Sequence, residues 1–180
     1  VVKSYEFHVK TALGITLEEN IENLAASFAY VVKEGREAMF DAGHFFDGYK
    51  ANPAYTLEAL HAAYSAGARW TVLCDTNGGT LPWEIESIIR EMKSSINHPF
   101  GMHTHNDSEC GVVNALVGVR EGATQVQGTI NGVGERCGNA NLVSIMADLE
   151  LKMGYQCLPK GNIQHLHDLS HFVAEVANIA

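Results

Sequence analysis

The chain has 180 residues and a formal net charge of −9, from 12 Lys and Arg against 21 Asp and Glu. Its basic residues are scattered singly, which argues against nucleic acid, because that partner needs a clustered basic footprint. No stretch has the length and apolarity of a bilayer span, so no membrane partner is expected. The sequence opens Val1-Val2-Lys3 with no leader pattern and closes Ala177-Asn178-Ile179-Ala180 inside an amphipathic run, as expected of a piece of a longer protein. Cys74, Cys110, Cys137 and Cys157 form no Cys-x-x-Cys pair and are expected as unpaired thiols, which points to a cytoplasmic location.

Tyr5 to Val9 alternates and predicts a strand. Thr16 with Glu19 three residues on reads as a capping box opening a helix, whose apolar stripe runs from Leu17 to Val32 before Gly35. Glu37 to Asp41 is expected as a short strand, Thr56 to Ala66 as a helix stopped by Gly67, and Arg69 to Cys74 as a strand buried on both faces. Asp75 to Gly79 turns the chain into a helix from near Pro82 that carries Ile85, Ile88, Ile89 and Met92. Pro99 to Met102 predicts the next strand, Val112 to Val119 the next helix, ended by Gly122, and Thr124 to Ile130 a further strand. Leu142 to Met153 and His165 to Ala180 read as helices; His165, His167 and His171 fall mostly off the apolar stripe and are expected in solvent.

Strands alternating with helices imply parallel pairing with right-handed crossovers. The polar, chemistry-bearing stretches all follow strands, where barrels and open α/β enzymes both place their sites. No Gly-x-Gly-x-x-Gly follows the first strand, and the glycine-rich span Gly132 to Asn139 lacks the Lys-Ser/Thr of a phosphate loop. Five strands do not close a (β/α)8 barrel, so a barrel reading places about three strands upstream.

The most chemical stretch is His103-Thr104-His105-Asn106-Asp107 at a strand end. Residues two apart on a strand share a face, and neighbouring imidazoles with carboxylates and amides nearby suit a divalent cation. The alternative is two polar residues satisfied by hydrogen bonds.

That stretch, taken with Gln127-Gly128-Thr129-Ile130-Asn131-Gly132-Val133-Gly134-Glu135-Arg136-Cys137-Gly138-Asn139, resembles the C-terminal half of the catalytic barrel in the 2-isopropylmalate, homocitrate and citramalate synthase family. The likeness runs over essentially the whole chain. Hydroxymethylglutaryl-CoA lyases and the pyruvate carboxylase transferase domain share a His-x-His barrel motif but lack the Gly-Glu-Arg-x-Gly-Asn segment. His44 to Pro53, Cys74 to Gly79 and Asn106 to Glu109, with Glu109 where Gly is usual, resemble the citramalate branch.

The resemblance implies an α/β fold, the later part (about five βα units) of a TIM (β/α)8 barrel. Residues 1–153 would form the partial barrel, and 154–180 a loop and helix leading out of it. It implies a metal-dependent Claisen condensation of acetyl-CoA with a 2-oxo acid, pyruvate to citramalate, in branched-chain amino-acid biosynthesis, by a homodimer when full-length. A 2-isopropylmalate or homocitrate synthase is the alternative within the class. His103, His105 and Asn139 match metal ligands, for Mg, Mn, Zn or Co. Thr76 matches the hydroxyl that binds the oxo-acid carboxylate, Glu135 a catalytic-site carboxylate, and Asn106 and Asp107 supports around the ligands; a cap on the following helix is the other reading of Asp107. The sequence departs from the pattern twice. The family's Arg-Asp-Gly motif is absent, and Gly43 stands where the family carries Glu. Those departures imply that the isolated piece is inactive, and a non-catalytic metal- or ligand-binding module is the reading from another class.

Overall fold

In a computed structural model, which describes residues 2–179, strands and helices alternate into one sheet with helices on its outer face. The strands are β1 (Val2–Lys3), β2 (Met39–Gly43), β3 (Trp70–Asp75), β4 (Phe100–Thr104) and β5 (Gln125–Gln127). They pair in sequential order, all parallel, as consecutive crossovers dictate. The helices are α1 (Glu6–His8), α2 (Leu17–Lys33), α3 (Phe45–Ala51), α4 (Pro53–Ser65), α5 (Pro82–Ser95), α6 (Gly111–Arg120), α7 (Leu142–Leu151) and α8 (Leu166–Ala177).

Register sorts the side chains. Phe40 and Ala42 of β2, Leu73 of β3, and Phe100 and Met102 of β4 point outward into a core with Leu24, Phe28, Leu60, Ile85, Ile89 and Met92 of the helices. The alternate residues Met39, Asp41, Val72, Cys74, Gly101, His103, Gln125 and Gln127 share the other face. On that face the Gln127 amide donates to Asp41 Oδ1 at 3.0 Å, and the Nε2 atoms of Gln125 and Gln127 lie 3.6 Å from Met39 Sδ. β2 and β5 are three steps apart, roughly 14 Å in a flat sheet. Side chains that touch across that span require the sheet to curl into an arc of barrel with these residues inside.

The helix boundaries have local causes. Thr16 is extended and its hydroxyl accepts the Glu19 N–H at 3.1 Å, the forward half of a capping box. Asn52 accepts the Tyr55 N–H at 3.2 Å, with Pro53 at the first helical position, so α4 starts three residues before Thr56. Gly67 (φ 98°) stops α4.

Four expectations are corrected. Tyr5 to Val9 is not a strand. The Tyr5 carbonyl accepts the N–H groups of both His8 and Val9, turning the chain into α1 and a π turn, Val9–Leu13. Its alternation misled because Phe7 is exposed, leaving Val9 as the buried anchor. The second strand lies two residues later than Glu37 to Asp41. α3 was unforeseen, although Phe45, Phe46 and Tyr49 are spaced for one helical face. The strand from Thr124 ends at Gln127, because the chain folds back so that Thr129 pairs with Ala140 and Asn141; Asn131 takes φ 61° in the turn. The helix forecast to Ala180 ends at Ala177, and Ala180 itself lies outside the described residues. α8 docks back on that turn through Asn131 Nδ2 to Ser170 O (2.8 Å) and Ser170 Oγ to Asn131 Oδ1 (2.6 Å).

Candidate active site

His103 is on β4 and His105 follows one residue beyond it, so both rings emerge at the C-terminal end of the sheet. Their Nε2 atoms lie 3.2 Å apart. The hydrogen-bond partners fix the tautomers in sequence. Arg136 can only donate, and its Nη2 lies 3.1 Å from His105 Nδ1, so that nitrogen accepts. Neutral His105 then carries its proton on Nε2 and donates it to His103 Nε2. His103 keeps its own proton on Nδ1 and donates to Gln127 Oε1 at 2.6 Å. Burial, followed by the neighbouring His103 and Arg136 charges, pulls the His105 pKa down and keeps the ring neutral.

The pair fits a metal as far as it goes. Two nitrogens each about 2.1 Å from a common ion sit roughly 3.0–3.4 Å apart, which brackets the observed separation. The Gln127 contact keeps the His103 proton on Nδ1, so its Nε2 carries the lone pair a ligand requires, which here accepts the His105 N–H. For His105 to ligate through Nε2, its proton must pass to Nδ1 and Arg136 must release that atom. Among the described residues no group of three or more His, Cys, Asp or Glu side chains gathers as a cage, so the imidazoles form a two-donor half-site.

Around them Arg136, itself at φ 58°, ties three loops together. It donates to Asp107 Oδ1 (2.8 Å) and Oδ2 (3.0 Å) and to the Thr76 carbonyl (2.7 Å). Asp107 therefore clamps Arg136 and does not cap α6. Asn106 fills that place, accepting the Gly111 N–H at 3.1 Å. The Thr76 hydroxyl accepts the His44 backbone N–H at 2.8 Å. Asn139 bridges His105 through the backbone, and its side chain occupies space a Cβ on Gly134 would invade at 2.0 Å. Glu135 is exposed, and its carboxylate lies 3.4 Å from Arg136 Nη1. The structure thus gathers His103, His105, Thr76 and Asp107, with Asn139 alongside and Glu135 outside the cluster. Sequence reasoning gave no role to Arg136 or Gln127 and did not foresee that Gln127 meets Asp41. The one available clue was a glutamine on the same strand face as the histidines.

The HMGL-like family matches residues 1–173. The chain belongs to that family. It is 55% identical over 178 residues to an (R)-citramalate synthase of Geobacter sulfurreducens, covering 99% of this chain and 34% of that protein. The corresponding Aquifex aeolicus protein is 51% identical, with 98% and 34% covered. A Brevibacillus brevis protein named 2-isopropylmalate synthase is 31% identical over 177 residues, with 96% and 34% covered. The chain therefore spans about a third of the length of the curated relatives it matches. Among solved structures, the HMG-CoA lyase of Bacillus subtilis superposes with a TM-score of 0.83 at 17% identity, covering 99% of this chain and 62% of that one. That likeness supports the fold, the later part of a TIM barrel.

Proposed function

We propose that the full-length protein condenses acetyl-CoA with pyruvate to give citramalate and free CoA. The reading rests on the two converging imidazoles at the barrel mouth, in a chain more similar to relatives named (R)-citramalate synthase than to those named 2-isopropylmalate synthase. Residues 1–153 are read as barrel and 154–180 as the segment leading out. No helix among the described residues is long and apolar enough to cross a membrane, and a cytoplasmic site of action is proposed. Exposed Phe172 and Val176 on α8 support a homodimer.

In this reading His103 and His105, with Asn139 beside them, hold a divalent cation, Mg, Mn, Zn or Co. A bound cation supplies Lewis acidity for the oxo-acid carbonyl. The residues of this chain do the rest. Thr76 has its oxygen occupied by the His44 N–H, so its own O–H is available to a substrate carboxylate. Arg136 holds the Thr76 and Asp107 loops against His105. Glu135 stands on the same loop beside Arg136, and Asn106 fixes the start of α6.

Full-length protein should release CoA from acetyl-CoA with pyruvate faster than with the bulkier 2-oxoisovalerate, and only with a divalent ion present. His103→Ala with His105→Ala should lower turnover by orders of magnitude. Equal turnover in that double variant would remove the assignment.

A second reading is favoured by Gly43. The family's carboxylate is a hydrogen atom here, on the inner face beside Lys3. A ligand-binding module would bind pyruvate and metal with no CoA release.

A further inference from the structure

The inner face of the sheet carries two glutamines on β5, and they differ in what they touch. Gln125 lies over Gly101, where a Cβ would stand 2.2 Å from its Oε1. That Oε1 is buried with no hydrogen-bond partner among the described residues, and the Nε2 lies 3.6 Å from Met39 Sδ. A thioether is a weak acceptor, so these contacts do little to decide which way the amide faces. Gln127 shares that Met39 contact at 3.6 Å, but its Nε2 also donates to Asp41 Oδ1 at 3.0 Å.

The Asp41 contact matters because an amide has two faces. A carboxylate only accepts, so the Gln127 N–H group faces Asp41 and Oε1 faces His103 Nδ1, at 2.6 Å. Oε1 in turn only accepts, so Nδ1 carries the imidazole proton and Nε2 the lone pair. Turned over, the amide would set Oε1 against a carboxylate and an N–H against Nδ1. His103 would then hold its proton on Nε2, the atom a cation needs. Asp41 and His103 stand two strands apart, on β2 and β4, and the amide carries the direction from one to the other. Arg136, which only donates, sets the opposite end of the chain at His105 Nδ1. A cation held by both Nε2 atoms replaces the 3.2 Å link between them, and Arg136 then no longer acts on His103. The Asp41 end still does.

We propose that Asp41 is a positioning residue for the cation site: it turns the Gln127 amide so that His103 presents a lone pair, and its effect on the metal passes through that amide. This rests on the metal-dependent reading above, with His103 as a ligand. A carboxylate at position 127 would have no wrong face, because both of its oxygens accept the Nδ1 proton. Asp41 would then be dispensable, and as a like charge beside that carboxylate it would be unfavourable. The dependence on Asp41 is therefore a property of the amide.

The test compares full-length wild type with Asp41→Leu, Gln127→Glu and the double variant. Zinc binding is measured by calorimetry, counting only the uptake that His103→Ala with His105→Ala abolishes. Asp41→Leu alone should weaken zinc binding by about 10-fold or more. Added to Gln127→Glu, the same substitution should weaken it by less than about twofold, or tighten it. A charge acting through space, or lost packing, would weaken zinc by the same factor in both backgrounds and overturn the proposal. Unchanged affinity in Asp41→Leu would do the same. If the leucine variant fails to fold, Asp41→Asn replaces it. Paired with Gln127→Glu, it repeats the wild-type hydrogen bonds with carboxylate and amide exchanged. Zinc affinity in that pair lower than wild type by more than about threefold would overturn the proposal. Wild-type protein that takes up no zinc through the two histidines would instead overturn the metal reading, and this inference with it.

Discussion

Gly118 is where packing of the sheet and geometry of the site are most directly coupled. It lies in α6, over β4, and a Cβ there would sit 2.3 Å from Met102 Cγ and 2.5 Å from its Sδ. Met102 is wholly buried, and the next residue is His103. Carbon atoms pack at about 3.5–4.0 Å, so Gly118→Ala forces Met102 to retreat by roughly 1.2–1.7 Å or α6 to lift from the sheet. Replacing glycine by alanine inside a helix gains about 1 kcal/mol, whereas overpacking a filled core costs about 1–3 kcal/mol. The clash should win, giving a net loss of about 1 kcal/mol. In the full-length protein urea unfolding should show a lower midpoint at unchanged slope. Met102→Ala removes the obstructing atoms, so the double variant should be more stable than the sum of the single losses by about 1–2 kcal/mol. A stabilised Gly118→Ala, or strict additivity with Met102→Ala, would refute the close-packing argument.

Gln127→Leu should strip His103 Nδ1 of its acceptor and Asp41 of its donor. Lost support of that kind weakens metal binding by about 10–100-fold, which titration of full-length protein with zinc, followed by calorimetry, would read directly; unchanged affinity would remove Gln127 from the site. Glu121 is held by Arg90 through two hydrogen bonds, Nε at 3.1 Å and Nη2 at 3.0 Å, joining α5 to the end of α6. Those bonds pull its pKa below the usual carboxylate value. A folded pKa below the unfolded one adds stability above pH ~4.3 that is lost as pH falls through the folded value. Glu121→Gln should therefore be less stable than wild type by about 1 kcal/mol at pH 7, and the two melting curves should converge as pH falls through the lowered folded value. A gap that persists into acid would show that the side chain acts through packing.

The fold was readable because helical and strand periods differ and each apolar run here is long. Ile85, Ile88, Ile89 and Met92 declare α5, and Trp70 to Leu73 declares β3. Short elements were not readable. Five alternating residues cannot separate a strand from a turn, so Tyr5 to Val9 was misjudged, and α3 hid behind a histidine that opens it in a backbone state no periodicity records. The imidazole pair was legible from spacing along one strand. Arg136 has no role legible in the sequence, because its partners, Thr76 and Asp107, lie on other loops. Gln127 and Asp41 meet only because the sheet curls.

That curl and the candidate site are one structural fact. Cys74, His103 and Gln127 are register partners on the inner face, with Asp41 on the same face opposite Val72, and burial pushes the Cys74 thiol far above its ordinary pKa, marking how little water reaches the layer. In a flat sheet Gln127 and Asp41 would be too far apart to bond, leaving polar groups on the inner face without each other and His103 without a fixed tautomer. Curling joins Asp41, Gln127, His103, His105 and Arg136 into a chain of donors and acceptors that ends at Thr76. At the end of β2, Gly43 contributes no side chain to the mouth. The next residue, His44, holds its left-handed backbone by donating its N–H to the same threonine and by setting its ring Nδ1 against Asp47.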